Sequence, residues 1–348
     1  MARRRLAVPE GGFRSIAVLR LSSLGDVVLA LPVVAALRAA YPRARIHFWV
    51  KEEYADAVRF DPAIDHVRAL EADARRIEDL VSMSAELEEC DLIVDLQGNP
   101  RSRLLAFRQA APVLRAPSYR VRRARWVHAR WTAPPAVPAT LERYAAALAP
   151  LGLAVNDVPR LAAGADAEAW ADAWLTAWAP GRPPVALCPG ARHATKCWPQ
   201  AGWCALDEAL AADGRPRVVI STPAERRALP QLAERIDADP RARWLAEPLP
   251  RIAAVLSRCS AAVTHDSGLM HMAAARGLRV VAIFGSTSPV LGFAPAGPGH
   301  AVLCRNEPCQ PCTLHGRATC PKGHFRCMTG ISAAQVLAAL AGLEGPTG

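Results

Sequence analysis

Short apolar runs recur along the chain, each followed by a stretch of mixed polarity. Ile16–Leu19, Ile46–Val50, Val185–Cys188, Ala261–Thr264 and Val280–Phe284 contain no Asp, Glu, Lys or Arg. Arg217–Ile220 opens on a charge and continues apolar, and Asp91–Leu96 is apolar apart from Asp91 and Asp95. Runs this short, apolar at successive positions, predict strands buried on both faces, as in a parallel sheet. Between them, Val27–Tyr41, Leu141–Leu151 and Ser332–Leu343 have helical periodicity, and Pro32 predicts a kink in the first. Leu269, Met272 and Ala273 recur at helical spacing, with Gly277 where a helix stops. Strand and helix in alternation predict an α/β fold of βαβ units. Trp170, Trp174 and Trp178 stand four residues apart, which predicts a helix face packed on the core.

Pro- and Gly-rich stretches divide this pattern. Ala133-Pro-Pro-Ala-Val-Pro138 reads as a rigid connector and Gly181-Arg-Pro-Pro184 as the entry to a second domain. A length of 348 residues fits two domains, expected at 1–160 and 161–348 and each doubly wound, without a clean internal repeat. No apolar stretch reaches the roughly 18 residues of a membrane span. The run after the basic Met-Ala-Arg-Arg-Arg start is too short for a secretory signal, which predicts a cytoplasmic protein.

Charge sharpens the picture at one place. The net charge of +10 favours anionic partners: nucleic acid, a membrane surface or an acidic substrate. Residues 101–130 hold nine arginines (101, 103, 108, 115, 120, 122, 123, 125 and 130) and no acid. A one-sign run of this density reads as an anion site or a tail. Phe107, Tyr119, Trp126 and Trp131 are interleaved with it and argue against a disordered tail. The predicted boundary puts the run in the first domain.

The turns after parallel strands lie at the sheet edge where ligands bind, and four of them carry polar residues. Arg20-Leu-Ser-Ser-Leu-Gly-Asp-Val27 brings Asp26 to the start of a helix. There a carboxylate either caps the helix or, kept ionised by the helix N-terminus, takes a proton from a hydroxyl. Cys188-Pro-Gly-Ala191 and Thr195-Lys-x-Trp-Pro199 form the turn after a second strand. Lys196 is either a solvated charge or a point charge for a pyrophosphate. Glu225, after Arg217–Ile220, caps a helix or accepts from a ribose hydroxyl. Thr264-x-Asp-Ser-Gly-Leu-Met-His271 joins a strand to a helix whose N-terminus can receive an anion beside Asp266, Ser267 and Gly268. His271 lies one turn further on, as a packed histidine or a phosphate contact.

These motifs, in this order, resemble the lipopolysaccharide heptosyltransferases of glycosyltransferase family 9, over roughly residues 14–340. The resemblance implies a GT-B architecture, two Rossmann-like domains facing a central cleft, with the last helix packing back on the first domain. It implies an inverting transfer of heptose from ADP-heptose to a lipid A–Kdo acceptor at the cytoplasmic face of an anionic inner membrane, closer to the heptosyltransferase II type. Asp26 would be the general base and Lys196 would receive the leaving phosphate. Ser22, Ser23, Gly25, Thr195, Glu225, Asp266, Ser267, Gly268 and His271 would shape the donor site, and Arg120, Arg122 and Arg123 the acceptor site. Neither a G-x-G-x-x-G fingerprint nor a D-x-D pair follows a strand, so no cofactor is expected in catalysis. A member using another nucleotide sugar and a basic nucleic-acid-binding protein are the rival readings; no nucleic-acid motif supports the second.

The ten cysteines argue against a disulfide framework in this setting. Four cluster: Cys309-x-x-Cys312, Cys320 and Cys327, with Cys304, His315 and His324 nearby. Their spacing suits a structural zinc site, an iron–sulfur cluster or reduced thiols.

Overall fold

The computed structural model describes residues 5–70, 84–129 and 137–344. Arg130, Trp131 and most of the Ala133–Pro138 connector lie outside the described residues. Among the described residues, five strands form one sheet: β1 (Ser15–Leu19), β2 (Arg45–Lys51), β3 (His66–Leu70), β4 (Leu92–Asp95) and β5 (Val113–Arg115), in the order β3-β2-β1-β4-β5. Six more form a second: β6 (Val185–Cys188), β7 (Arg217–Ile220), β8 (Ala242–Leu245), β9 (Ala261–His265), β10 (Val280–Phe284) and β11 (Ala301–Cys304), in the order β11-β10-β9-β6-β7-β8. Every pairing is parallel. The α/β class is as the alternation predicts. The apolar runs are β1, β4, β6, β7, β9 and β10, buried along their whole length. Covered on both faces, they need no polar alternation.

Strand order fixes where ligands can reach. In the first sheet the chain leaves β1 toward β2 and β3, then returns to the other side of β1 as β4. The crevice between the loops after β1 and β4 is the topological switch point. In the second sheet β6 and β9 flank the corresponding point.

The chain divides into two compact units, Met1–Tyr119 with Thr140–Ala162, and Arg120–Ala139 with Ala163–Gly348. The helix Arg120–Ala129 therefore groups with the second unit, whereas the arginine run was expected in the first. One reason is visible: the Arg123 guanidinium lies over the Phe293 ring, 5.5 Å from its centroid. The last helix, Ala333–Glu344, spends its apolar face inside the second unit, where Val336 and Leu340 are buried in the core with Val281 and Ile283.

Two further elements differ from the pattern. Val27–Tyr41 is two helices, Leu24–Val28 and Leu31–Ala40, with Pro32 in the first turn of the second, where its missing N–H costs nothing. The tryptophan stripe is not the core face of the helix Ala165–Thr176; Ala167, Ala171 and Leu175 are. The three indoles are half-buried beside that face and pack on one another, at 5.6 Å for Trp170–Trp174 and 5.2 Å for Trp174–Trp178. Arg251 lies over Trp170 at 4.5 Å. Small side chains let this helix sit close to the helix Leu249–Leu256, so the large rings turn aside.

Candidate active site

In the first unit the switch point holds Asp26. Ser23 is the N-cap of the helix Leu24–Val28 and Asp26 is three residues further, so the carboxylate is not the cap itself. It reaches back to Ser23, accepting from the hydroxyl at 3.2 Å and the backbone N–H at 3.4 Å. Gly25 is buried between them. The Asp26 Oδ2 pairs with Arg20 Nη2 at 2.8 Å, and Oδ1 accepts from the Tyr144 hydroxyl at 3.0 Å. Burial works against charge on Arg20, but Asp26 outweighs it and holds the guanidinium above its ordinary value. Burial likewise pushes the Tyr144 phenol up, so it stays a donor. The loop is held from β4: Gln97 Oε1 accepts from Leu21 N at 3.0 Å and Ser22 N at 3.3 Å. Sequence reading did not single out Gln97, Tyr144 or Arg20 as site residues. The pairing of β1 with β4 brings Gln97 to the Leu21–Ser22 backbone, Arg20 directly follows β1, and Tyr144 comes from the helix Thr140–Ala145.

In the second unit the loops after β6 and β9 meet. Lys196 Nζ pairs with Asp266 Oδ2 at 2.8 Å, with both side chains mostly buried. Thr287, after β10, donates to the same oxygen at 2.7 Å. Ser267 is the N-cap of the helix Gly268–Ala275, yet its hydroxyl caps nothing and, though buried, makes no hydrogen bond. The hydroxyl at the head of that helix is thus not consumed by the fold. His271 follows one turn later, 5% exposed.

Thr195 and Glu225 are more heavily engaged. The Thr195 hydroxyl meets Ser286 Oγ at 2.8 Å, donates to Arg317 O at 3.1 Å and accepts from Arg317 N at 2.8 Å. It ties the Lys196 loop to the cysteine-bearing segment. Glu225 closes a capping box on Thr222, accepting from its N–H at 2.8 Å and its hydroxyl at 3.0 Å. Its Oε1 lies so close over Gly190 that a Cβ there would stand 2.0 Å from it. A side chain at position 190 would require the Glu225 carboxylate to move aside.

Arg120, Arg122 and Arg123 lie on the helix Arg120–Ala129, the first two exposed and the third half-buried. Cys309, Cys312, Cys320 and Cys327 line one cavity of about 10 Å³, with Thr195 and Ser286 also on its wall. All ten cysteines are free. Among the described residues no group of three or more His, Cys, Asp or Glu converges to hold a metal ion, so the tetrahedral thiolate geometry suggested by the spacing is absent there. Burial, reinforced by the other cysteines, pushes the Cys327 thiol up to about 12, and the side chain packs in the hydrophobic core. Cys309 Sγ stands 3.6 Å from His324 Nε2.

Residues 80–322 match glycosyltransferase family 9 (heptosyltransferase). Lipopolysaccharide heptosyltransferase 1 of Pseudomonas aeruginosa is 30% identical over 325 residues, 85% of each chain. A family 9 glycosyl transferase structure from Veillonella parvula superposes with a TM-score of 0.78 at 20% identity, over 95% of this chain and 97% of that one. The structure of Escherichia coli ADP-heptose lipopolysaccharide heptosyltransferase II gives 0.72 at 22% identity, over 95% and 98%. The GT-B fold of these structures is the fold of this chain. With its motifs gathered at the two switch points and a match spanning most of its length, the chain belongs to glycosyltransferase family 9, the heptosyltransferases.

Proposed function

We propose that this glycosyltransferase moves heptose from ADP-heptose onto the lipid A–Kdo inner core, with inversion at the anomeric carbon. One observation carries the donor half: Lys196, held by Asp266, stands at the β6–β9 switch point beside a helix N-terminus whose Ser267 hydroxyl is unspent. A cation, a hydroxyl and free backbone N–H groups at a helix start are what a diphosphate requires. Asp26 takes the proton of the acceptor hydroxyl, whose oxygen attacks the anomeric carbon as its bond to the ADP oxygen breaks. The charge that grows on that oxygen is met by Lys196. No cofactor takes part. The donor named for the E. coli relative supports the ADP-heptose reading. Turnover of the purified protein with a panel of ADP- and UDP-linked sugars on a Kdo–lipid A acceptor tests it. Equal or faster use of another sugar would replace heptose.

Lys196→Ala is expected to weaken ADP-heptose binding about tenfold and to slow transfer as well, because leaving-group charge is larger in the transition state. Asp266→Ala is expected to weaken donor binding by freeing the lysine from its position. Unchanged kinetics in both would remove the donor from this loop.

The arginines of Arg120–Ala129 serve the acceptor in this reading, since guanidinium pairs with both phosphate and carboxylate in two-pronged fashion. They also draw the enzyme to the cytoplasmic face of an anionic membrane. Among the described residues no helix is long and apolar enough to cross one. Charge reversal at Arg120, Arg122 and Arg123 together is expected to raise the acceptor KM about tenfold and to reduce binding to anionic vesicles at low salt. The donor KM should stay constant; a change in donor KM alone would contradict the assignment. The cysteine cavity has a structural role here, which metal analysis beside a thiol titration reads directly.

A further inference from the structure

We propose that His265 is a positioning residue of the donor site, setting the place of Lys196 through the backbone N–H of Trp198. The proposal rests on the reading of Lys196 as the diphosphate-binding group. Asp266, which pairs with Lys196, is preceded by His265, the last residue of β9. His265 is completely buried, packs edge-on against Trp203 at 5.3 Å, and accepts from Trp198 N through Nε2 at 2.8 Å. Trp198 lies two residues after Lys196. The consecutive residues His265 and Asp266 therefore grip one short loop at two points, one on its backbone and one on its lysine ammonium.

The rest of the loop shows why this grip matters. Upstream, Thr195 is fixed by its N–H to Arg317 O at 3.1 Å and by its hydroxyl to Ser286. Downstream, the Trp198 indole is buried, donating to Ile331 O at 2.9 Å and packing at 5.4 Å on Trp203. Lys196 hangs between these anchors on a side chain with four rotatable bonds, so its ammonium is placed only as well as its backbone is. Burial lowers the His265 pKa to about 3, so the ring is neutral and Nε2 keeps the lone pair the Trp198 N–H requires. Lost, that acceptor leaves a buried N–H unpaired and the loop free to shift.

The test compares His265→Leu, which removes the acceptor and keeps bulk, with His265→Gln, whose amide oxygen reaches nearly as far as Nε2. The ADP Kd, measured by calorimetry on protein folded by circular dichroism, is expected to rise about tenfold in the Leu variant and less than about threefold in the Gln variant. The acceptor KM should not move. In a Lys196→Ala background the same His265→Leu change should alter the ADP Kd by less than about twofold, because its effect runs through the lysine. An unchanged Kd in folded His265→Leu overturns the proposal, as does an undiminished penalty in the Lys196→Ala background. Failure of the unsubstituted protein to bind ADP would instead overturn the donor-site reading beneath it. Should the Leu variant not fold, His265→Asn, with an oxygen too short for Trp198 N, replaces it with the same outcomes.

Discussion

Asp26→Asn is expected to lower turnover by about 10²-fold or more while leaving ADP binding within about twofold. The substitution preserves shape and removes the one oxygen basic enough to accept the acceptor's proton. It also removes a charge that the structure uses. Arg20 sits 2.8 Å away and both side chains are largely buried, so the variant leaves a guanidinium without its partner. A stability loss on the order of 1–3 kcal/mol accompanies the change, and rates must be compared well below the melting temperature of the variant. Tyr144→Phe is the control, since it removes a hydrogen bond to Oδ1 and keeps the carboxylate. Its turnover should fall far less than that of Asp26→Asn. If Asp26→Asn melts earlier yet turns over at the parent rate, the carboxylate serves only the helix start and its ion pair.

What the sequence made legible was the part governed by local pattern. The buried strands announced themselves because a parallel strand covered on both faces is mostly apolar at successive positions, with its charges confined to strand ends such as Asp95 and Arg217. The polar turns followed, because a parallel sheet collects them at one edge. The residues that complete the site were less visible, since each reaches it through long-range packing: Gln97 by the pairing of β1 with β4 and Tyr144 from the helix Thr140–Ala145. Gln97 and Tyr144 are 71 and 118 positions from Asp26 in sequence, and nothing near either one marks it as a partner. The tryptophan stripe misled for a different reason. Four-residue spacing identifies a helix face but not which face is buried, and alanines at 167 and 171 allow a closer approach than indoles do. The cysteine spacing suggested a metal geometry, but spacing says nothing of Cys327 being packed as an apolar side chain in the core.

Arg217 is the charge that sequence pattern hid most completely, and its removal should have the largest effect on stability. It opens β7 and reads as a strand edge, yet it is fully buried. Its Nε donates to Asp207 Oδ1 and its Nη2 to Asp239 Oδ2, both at 2.9 Å, and its Nη1 to Arg215 O at 3.1 Å. Asp207 is itself buried and also accepts from Arg235 at 3.1 Å. Arg217→Met keeps length and apolar stem but strands two carboxylates, and breaking a buried pair from one side costs about 3–5 kcal/mol. Urea unfolding should register that loss, with Arg217→Lys intermediate because an ammonium lacks the planar fork. The pH dependence carries a second signature. Burial pushes the Asp239 carboxyl up, but the Arg241 backbone N–H and the Arg217 guanidinium outweigh it and hold it at about 2. A carboxyl depressed in the folded state stabilises fully above its unfolded value of about 3.9 and loses that contribution as pH falls through about 2. The parent protein should therefore shed stability between about pH 4 and pH 2. Arg217→Met, already without the guanidinium that holds Asp239 down, should shed less over the same interval. A variant as stable as the parent, with an equally steep acid limb, would mean that Arg235 and Arg241 alone satisfy the two carboxylates.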